Sequence, residues 1–396
     1  MHISMQSRAI LLVALVEALG AGSRPIAEAQ PPLRSPRVEL IKELAVGQVD
    51  GPPEYAFGRI QALAATRAGS FFVFDASDTQ IRRYNAQGVF LGKVGRSGAG
   101  PGEYRYASAM ATHGDSLLLV YDPSNARISI FDTSGTYRQQ LSFSRFTLSG
   151  DKAVVLDRSG RLAVRMSKSG GLVEGPDFQS QYLWMRLDGT VLDSVSLPSP
   201  AIEGGMGYVL MTSDGPRYNF PIETVFALLP DRSLVSGRTS AYKISIAPPN
   251  GPSVLVERAV PPIRIAGAER DEWESWNRYF SSRPQSPPPR PLPQNKPYFR
   301  DLLADDIGRL WVHRYSEATK RSIPPRPAGD ARPLLTIRER NTYDVFSPRG
   351  KELGTVELAP HTILIAIRGD RIYVRREAEG GEYILERYAL KGLASP

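Results

Sequence analysis

A segment of this chain returns in altered form 47 residues further along. Each copy holds an apolar strand, an Asp turn, a second strand and a Gly turn. Four pairs of residues keep the same offset: Asp75 and Asp122, Ile81 and Ile128, Tyr84 and Phe131, and Gly88 and Gly135. A period in the forties that is built from short strands and Gly or Asp turns is typical of a β-propeller blade. The repeat therefore predicts an all-β chain, and 35 Gly with 33 Pro supply the many turns that such a chain needs.

The rest of the chain divides into further units of the same kind, six in total. The predicted blades begin near Ile60, Ala107, Ala153, Val225, Asp301 and Ile363. The sixth unit lacks an outer strand, whereas residues 38–46 are an apolar stretch outside any blade. We expect this N-terminal stretch to supply the missing strand, because closing the ring removes an exposed sheet edge. The predicted fold is a six-bladed β-propeller of four-stranded antiparallel blades over residues 38–393.

A glycine-rich motif follows the first blade. It reads Gly-Arg-Ser-Gly-Ala-Gly-Pro-Gly-Glu-Tyr and spans Gly95 to Tyr104. Together with the strands that end in Asp and the Arg-Ile-x-x-Phe strand, it resembles bacterial exported six-bladed propellers of the NHL-repeat type. The resemblance is strong in blades 1 and 2, weak in blades 3 and 4, and returns in blades 5 and 6. It implies the fold but no activity, because that fold hosts lyases, lactonases and pure binding modules.

Residues 1–29 predict a secretory signal peptide. Arg8 supplies a positive start, residues 9–20 are apolar except for Glu17, and Ala27 to Ala29 form a small-residue cleavage site. We therefore expect an exported protein, periplasmic or extracellular after cleavage near Ala29. A later apolar stretch of membrane length is lacking, so no membrane span is predicted. The chain has no Cys and a net charge of +8, which favours anionic partners, and export argues against nucleic acid.

The predicted connections differ sharply between the two faces of the ring. Turns between first and second strands, and between third and fourth strands, are short, and we call their side the tight-turn face. Five long connections open on the opposite side, which we call the long-loop face: residues 95–106, 167–181, 198–221, 259–297 and 316–337. Unselected insertions would fall on both faces, so the one-sided distribution predicts a binding face.

The longest connection, 259–297, predicts a helix followed by a proline-rich stretch. Residues 269–280 carry Trp273, Trp276 and Phe280 at helical spacing, and residues 281–297 contain seven prolines. Two interpretations remain open: the insertion closes over the channel mouth as a lid, or the tryptophans pin it against the propeller.

Basic and aromatic residues of the long-loop face are the predicted contacts to a partner, which is a protein, a peptide or an anionic glycan. The candidate ligand-binding residues are Arg96, Glu103, Tyr104, Arg105, Tyr218, Trp273, Trp276, Arg300, His313, Arg314, Tyr315 and Arg321. The alternative function is a lactonase-like hydrolase or lyase with a metal, such as Ca²⁺, at the channel mouth. Four residues have a suitable position for that metal: Glu103, Glu223, Asp301 and His313. No catalytic motif or metal-ligand spacing supports this alternative, so the prediction includes neither a catalytic residue nor a cofactor.

Overall fold

The computed structural model describes residues 36–48, 51–143, 153–167, 179–198, 220–265, 267–283, 291–322, 329–334, 336–378 and 382–394. It also describes the backbone of two strands at 209–212 and 215–218. The predicted signal peptide lies outside these residues. Within them, no helix has the length and the apolar character needed to cross a membrane.

Six four-stranded antiparallel sheets form the blades of a β-propeller, as predicted. Blade 1 consists of Ile60–Ala65, Phe71–Asp75, Gln80–Tyr84 and Phe90–Val94. Blade 2 consists of Ala109–His113, Leu117–Asp122, Arg127–Asp132 and Tyr137–Ser142. Blade 3 consists of Val154–Leu156, Leu162–Ser167, Ser180–Met185 and Val191–Ser196. In each blade the first strand lies at the channel and the fourth at the rim.

The second half of the ring repeats this order with one change. Blade 4 consists of Thr224–Leu228, Leu234–Arg238, Lys243–Ala247 and Val254–Glu257. Blade 5 consists of Phe299–Ala304, Leu310–Arg314, Thr342–Phe346 and Glu352–Glu357. Blade 6 consists of Thr362–Arg368, Arg371–Glu377 and Tyr383–Lys391, with the N-terminal strand Glu39–Val46 as its outer member.

The N-terminal strand closes the ring. It pairs antiparallel with the third strand of blade 6, from Glu39 opposite Lys391 to Val46 opposite Leu385. Val38 and Val46 at its two ends are buried. The prediction that the N-terminal stretch completes the sixth blade is thus confirmed, and both ends of the propeller domain meet in one sheet.

Hydrophobic side chains fill the spaces between neighbouring blades. Phe72 and Phe74 of blade 1 pack with Leu118 and Val120 of blade 2, and all four are fully buried. The second strands of blades 1 and 2, Phe71–Asp75 and Leu117–Asp122, are almost entirely buried because both of their faces meet a neighbouring blade. Burial of each such side chain contributes about 1.5–3 kcal/mol, so these spaces supply most of the stability of the ring.

The repeated aspartates hold the connections on the long-loop face. Asp75 is fully buried and accepts backbone N–H bonds from three residues: Gly58, Arg59 and Ser77. Burial alone would raise the pKa of this carboxyl, but the hydrogen bonds outweigh it and the pKa lies below its ordinary value. Asp122 accepts the corresponding bonds from Arg105, Ser124 and Asn125. The two aspartates are therefore turn residues.

Glycine sets the tight turns between third and fourth strands. Gly88 and Gly135 have φ values of +80° and +99°, which a residue with a Cβ rarely adopts. Gly88 also lies against the N-terminal strand, where an added Cβ would come within 2.7 Å of Val46. These two turns confirm the expectation drawn from the 47-residue repeat.

The elements that do not belong to a blade all occur in connections of the long-loop face. They are the 3-10 helices Pro53–Tyr55 and Pro123–Asn125, the strand pair Arg96–Ser97 and Glu103–Tyr104, the hairpin Val209–Thr212 and Gly215–Tyr218, the helix Ala268–Ser281, and the hairpin Ala318–Lys320 and Ile337–Glu339. Among the described residues, the second half of the ring therefore carries most of the added structure.

Candidate functional site

The glycine-rich motif between blades 1 and 2 is fastened by its own side chains. Tyr104 is fully buried, and its hydroxyl donates to the Val94 carbonyl at 2.7 Å while accepting from the Ile81 N–H at 2.9 Å. Burial raises the pKa of this phenol. Glu103 accepts the Gly100 N–H at 2.7 Å. Tyr104, which the sequence predicts as a ligand contact, thus anchors the loop instead.

Arg96 and Arg105 are the exposed cations of the same loop. Arg96 is 81% exposed and its Nε lies 2.7 Å from the Glu103 carboxylate. Arg105 is exposed, and its backbone N–H, rather than its side chain, binds Asp122. The Glu103 carboxylate therefore occupies both Arg96 and the Gly100 N–H, whereas the Arg105 side chain remains available to a partner.

The predicted aromatic helix packs inward. Trp273 and Trp276 are buried in a cluster with Phe220, Ile265 and Tyr315. The Trp273 and Phe220 rings lie 5.7 Å apart, and the Tyr315 ring lies 5.5 Å from Phe220. These contacts fit the interpretation in which the tryptophans pin the insertion against the propeller.

A buried ion network fixes the same helix to blade 5. The Lys296 side chain has 0% exposure, and its Nζ lies 2.8 Å from both Glu269 and Glu339. Arg300 also pairs with Glu339 and stacks on the Tyr315 ring. Burial alone would raise the pKa of Glu339, but the two cations dominate and the pKa lies below its ordinary value. Arg300 and Tyr315, predicted as ligand contacts, take part in this network.

The insertion is closed at its base and fastened at its side. Lys296 N–H donates to Ile263 O at 2.8 Å and Ile265 N–H to Gln294 O at 2.9 Å, so the two ends of the insertion pair with each other. Glu272 on the helix accepts the backbone N–H groups of Thr336 and Ile337. The helix and the blade 5 hairpin consequently form one raised wall on the long-loop face.

The remaining predicted site residues are distributed over blade 5 and its neighbours. His313 Nε2 lies 2.9 Å from Asn341 Oδ1, and its ring stacks on Tyr343 at 4.5 Å. Two of the predicted arginines face carboxylates, in the pairs Arg314 with Asp344 at 3.0 Å and Arg321 with Glu377 at 3.2 Å. Tyr218 lies in the 215–218 strand, and its side chain is outside the described part. The structure thus brings Trp273, Trp276, Arg300 and Tyr315 together but keeps the Arg96 loop apart from them.

The alternative function requires side chains that could hold a metal at the channel mouth of the long-loop face. In the described part of the chain, no three His, Asp or Glu side chains converge in a way that could hold an ion. Of the four positional candidates, Glu103 binds Arg96 and Gly100, and His313 binds Asn341.

The first strands of all six blades enclose a cavity of about 820 Å³ that reaches the tight-turn face. Leu63, Val155, Leu303 and Ile365 are among the apolar residues of its wall. Arg67 and Arg158 come from the turns that follow the first strands of blades 1 and 3, and Arg368 ends the first strand of blade 6. All three lie at the mouth of the cavity. A smaller cavity of about 470 Å³ lies between blades 5 and 6, where Arg37 pairs with Glu357.

The turns around the opening of the channel on the tight-turn face are hydrogen-bonded to one another. Arg158 donates its backbone N–H to Pro230 O at 3.0 Å and its Nη2 to Ile307 O at 3.2 Å, so it spans the turns of blades 3, 4 and 5. Asp306 binds Gly369 N–H at 2.7 Å. Arg67 N–H is accepted by Asp115, and His113 lies against Gly160. Contacts within the protein therefore hold the groups of this opening in place.

No protein-family model matches the chain, and no curated protein matches it in sequence. A member of the DUF4221 family from Bacteroides vulgatus is similar in structure, with a TM-score of 0.54 and 11% identity over 91% of this chain and 100% of that one. What the two share is the six-bladed propeller fold. The NHL-repeat type is compatible with this fold and stays a prediction.

Two enzymes resemble the propeller more distantly. An inactive variant of virginiamycin B lyase from Staphylococcus aureus has a TM-score of 0.42 and 9% identity over 88% of this chain and 99% of that one. A gluconolactonase from Xanthomonas campestris has a TM-score of 0.40 and 12% identity over 93% of this chain and 99% of that one. At these TM-scores the likeness is too distant to indicate an activity.

Sequence reasoning did not find the opening of the channel on the tight-turn face. Its residues are spread from Arg67 to Arg368, and only the ring closure brings them together. One signal was present: in every blade a charged or polar residue stands at the end of the first strand or within three positions after it. The six positions are Arg67, His113, Arg158, Asp231, Asp306 and Arg368.

Proposed function

We propose that this protein is an exported binding module that engages a polyanionic partner through its long-loop face. One observation carries the proposal: the raised wall, made of the helix Ala268–Ser281 and the blade 5 hairpin, is locked onto that face by the Lys296 network. A buried network of this kind costs desolvation energy. Such a cost is reasonable where a rigid surface has to be presented to a partner.

The exposed cations of the long-loop face point to an anionic partner. Arg105, Arg264 and Lys320 are exposed, and within the described part of the chain no carboxylate side chain pairs with them. Arg105 lies between blades 1 and 2, whereas Arg264 and Lys320 lie near blades 4 and 5, on the far side of the ring. Cations separated in this way suit an extended chain of carboxylates that crosses the face.

Titration with two carboxylate polymers tests the proposal. Polygalacturonate represents an anionic glycan and poly-glutamate an acidic peptide, and calorimetry compares their affinities at two salt concentrations. We expect Arg105→Glu and Lys320→Glu to weaken binding several-fold, because each replaces an attraction with a repulsion.

A matched control lies on the other face. Lys351 is an exposed lysine in the tight turn between the third and fourth strands of blade 5, and Lys351→Glu makes the same charge change. We expect this variant to bind like the wild type. Equal losses in all three variants would show that net charge alone governs binding, and the proposal would then fail.

A further inference from the structure

The channel cavity has the size of a small-molecule site. Its volume of about 820 Å³ lies within the range of about 300–1,000 Å³ that is usual for ligand pockets. It reaches the tight-turn face, away from the raised wall. A ligand in this cavity would therefore occupy a second site, separate from the proposed partner surface.

The wall of the cavity is suited to a hydrocarbon. Val155, Leu303 and Ile365 come from three different blades and are only partly buried, so they expose apolar surface to the channel. Leu63 and Met110 extend the apolar lining on the side of blades 1 and 2. Covering such surface with a ligand chain is favourable at about 25 cal/mol per Å².

The mouth of the cavity offers cations. Arg158 is exposed, and its guanidinium donates one hydrogen bond to Ile307 O, which leaves most of its five N–H donors available. Arg67 is also exposed. Asp115 accepts the backbone N–H of Arg67, and in the described structure the guanidinium of Arg67 has no carboxylate partner.

The aspartates that line the cavity are already paired, and Asp115 and Asp231 beside its mouth accept the backbone N–H groups of Arg67 and Ser233. Each lining aspartate faces its own arginine, in the pairs Asp157 with Arg161 at 2.7 Å, Asp305 with Arg309 at 2.5 Å, and Asp306 with Arg368 at 3.1 Å. Arg309 also reaches the exposed Asp370. An incoming anion therefore meets Arg67 and Arg158 as the cations that the described carboxylates leave unpaired.

Glycines let the charged groups take up these positions. An added Cβ at Gly308 would lie 3.0 Å from Arg158 Nη2, and one at Gly160 would lie 2.2 Å from His113 Nε2. Because Arg158 is held by two blades, little freedom is lost when it pairs with a ligand. Such preorganisation improves affinity.

We propose that the cavity binds an aliphatic carboxylate, with the hydrocarbon chain inside the channel and the carboxylate at Arg158 and Arg67. A guanidinium can hold a carboxylate through two parallel hydrogen bonds, which fixes the head of the ligand. The apolar wall receives the tail. Both halves of the ligand are thus specified by described residues.

Calorimetry with two probes of equal chain length tests the charge. Decanoate and decyltrimethylammonium differ in the sign of the head group, and both are used below their micelle concentrations. We expect decanoate to bind with a stoichiometry of one and decyltrimethylammonium to bind at least about tenfold more weakly, because a charge-assisted hydrogen bond is lost. Equal binding of both probes, or no binding of decanoate, overturns the proposal.

Variants locate the site. Arg158→Ala is expected to weaken decanoate binding about tenfold. Arg349→Ala, which removes an exposed arginine from a tight turn at the rim of the same face, is expected to leave it unchanged. Equal effects of the two variants contradict the proposal.

A cavity variant guards against a folding defect in Arg158→Ala. Ala111 lines the cavity and is only partly buried, so Ala111→Leu shortens the space for the tail. We expect this variant to favour hexanoate over decanoate, and an unchanged preference overturns the proposal. Arg105→Glu and Lys320→Glu should leave decanoate binding intact, which separates this site from the proposed function.

Discussion

Replacing Lys296 with Met should release the raised wall from the propeller. The Lys296 side chain has 0% exposure, with Glu269 and Glu339 each 2.8 Å from its Nζ and Ser316 O at 2.9 Å. Met has a similar length but no charge, so Lys296→Met removes the cation that Glu269 and Glu339 share, while Arg300 stays paired with Glu339. Breaking a buried ion pair by removing one partner costs about 3–5 kcal/mol.

The cost should appear first in the helix Ala268–Ser281, because the helix depends on this network and on the Trp273 cluster. A loss of about 3 kcal/mol corresponds to more than a hundredfold change in an equilibrium constant. Amide hydrogen exchange in the helix should accelerate by about that factor, while exchange in blades 1 and 2 should stay as in the wild type.

An exposed ion pair provides the matched control. Lys243 lies 2.8 Å from Glu257, and their side chains are 55% and 38% exposed. Lys243→Met should cost about 0–1 kcal/mol, as exposed pairs do. If Lys296→Met accelerates exchange in the helix no more than Lys243→Met does, the network does not hold the wall, and this account of the wall is refuted.

Three further predictions concern the frame and the same network. The pKa of Glu339 lies below its ordinary value of 4.5, so its contribution to stability is complete above pH 4.5 and is lost as the pH falls through the lower folded-state pKa. The difference in unfolding free energy between wild type and Glu339→Gln should therefore vanish on acidification, and a pH-independent difference would contradict this. Asp75→Ala should cost about 3–5 kcal/mol in urea unfolding, because it leaves three N–H groups without their acceptor and removes one of the two carboxylates that pair with the buried Arg82. Asp132→Ala, at an exposed turn, should cost clearly less, and equal costs would refute the turn argument. Deleting residues 1–47 should expose the edge of Tyr383–Lys391 and cause concentration-dependent association in light scattering, whereas a stable monomer would show that closure is dispensable.

The frame of the molecule could be predicted because its signals are local. Asp75, Gly88 and their counterparts in blade 2 mark turns whose geometry depends on a single residue type. The missing fourth strand of the last unit was likewise sufficient to assign Glu39–Val46 to blade 6. A ring must close, so the count of strands constrains residues more than 300 positions apart.

The partners of charged side chains could not be predicted, because ion pairs form between distant segments. Lys296 and Glu339 are 43 residues apart, and Arg321 and Glu377 are 56 apart. Residues 316–338 carry five basic residues in the sequence, whereas in the structure two of them, Arg321 and Arg332, face the carboxylates of Glu377 and Asp330. The sequence predicts Tyr104 as an aromatic ligand contact, yet its burial makes it the anchor of its own loop.

The opening of the channel on the tight-turn face could not be predicted for a related reason. Each of its charged residues sits in a short turn that looks like ordinary connection, and only the six-fold arrangement brings the turns together. The one-sided distribution of long loops predicts a site on the opposite face. The sequence signal for this opening is the charged or polar residue at equivalent turn positions of the six blades.

Hydrogen exchange in the presence of polygalacturonate tests the central claim most directly, since it maps the face that a polyanion covers. The account predicts slower exchange in 96–105, 259–283 and 318–322, and no change in the tight turns at 85–88, 132–135 and 347–350. Protection of the tight turns, or uniform protection of both faces, would contradict the claim that the long-loop face is the binding surface.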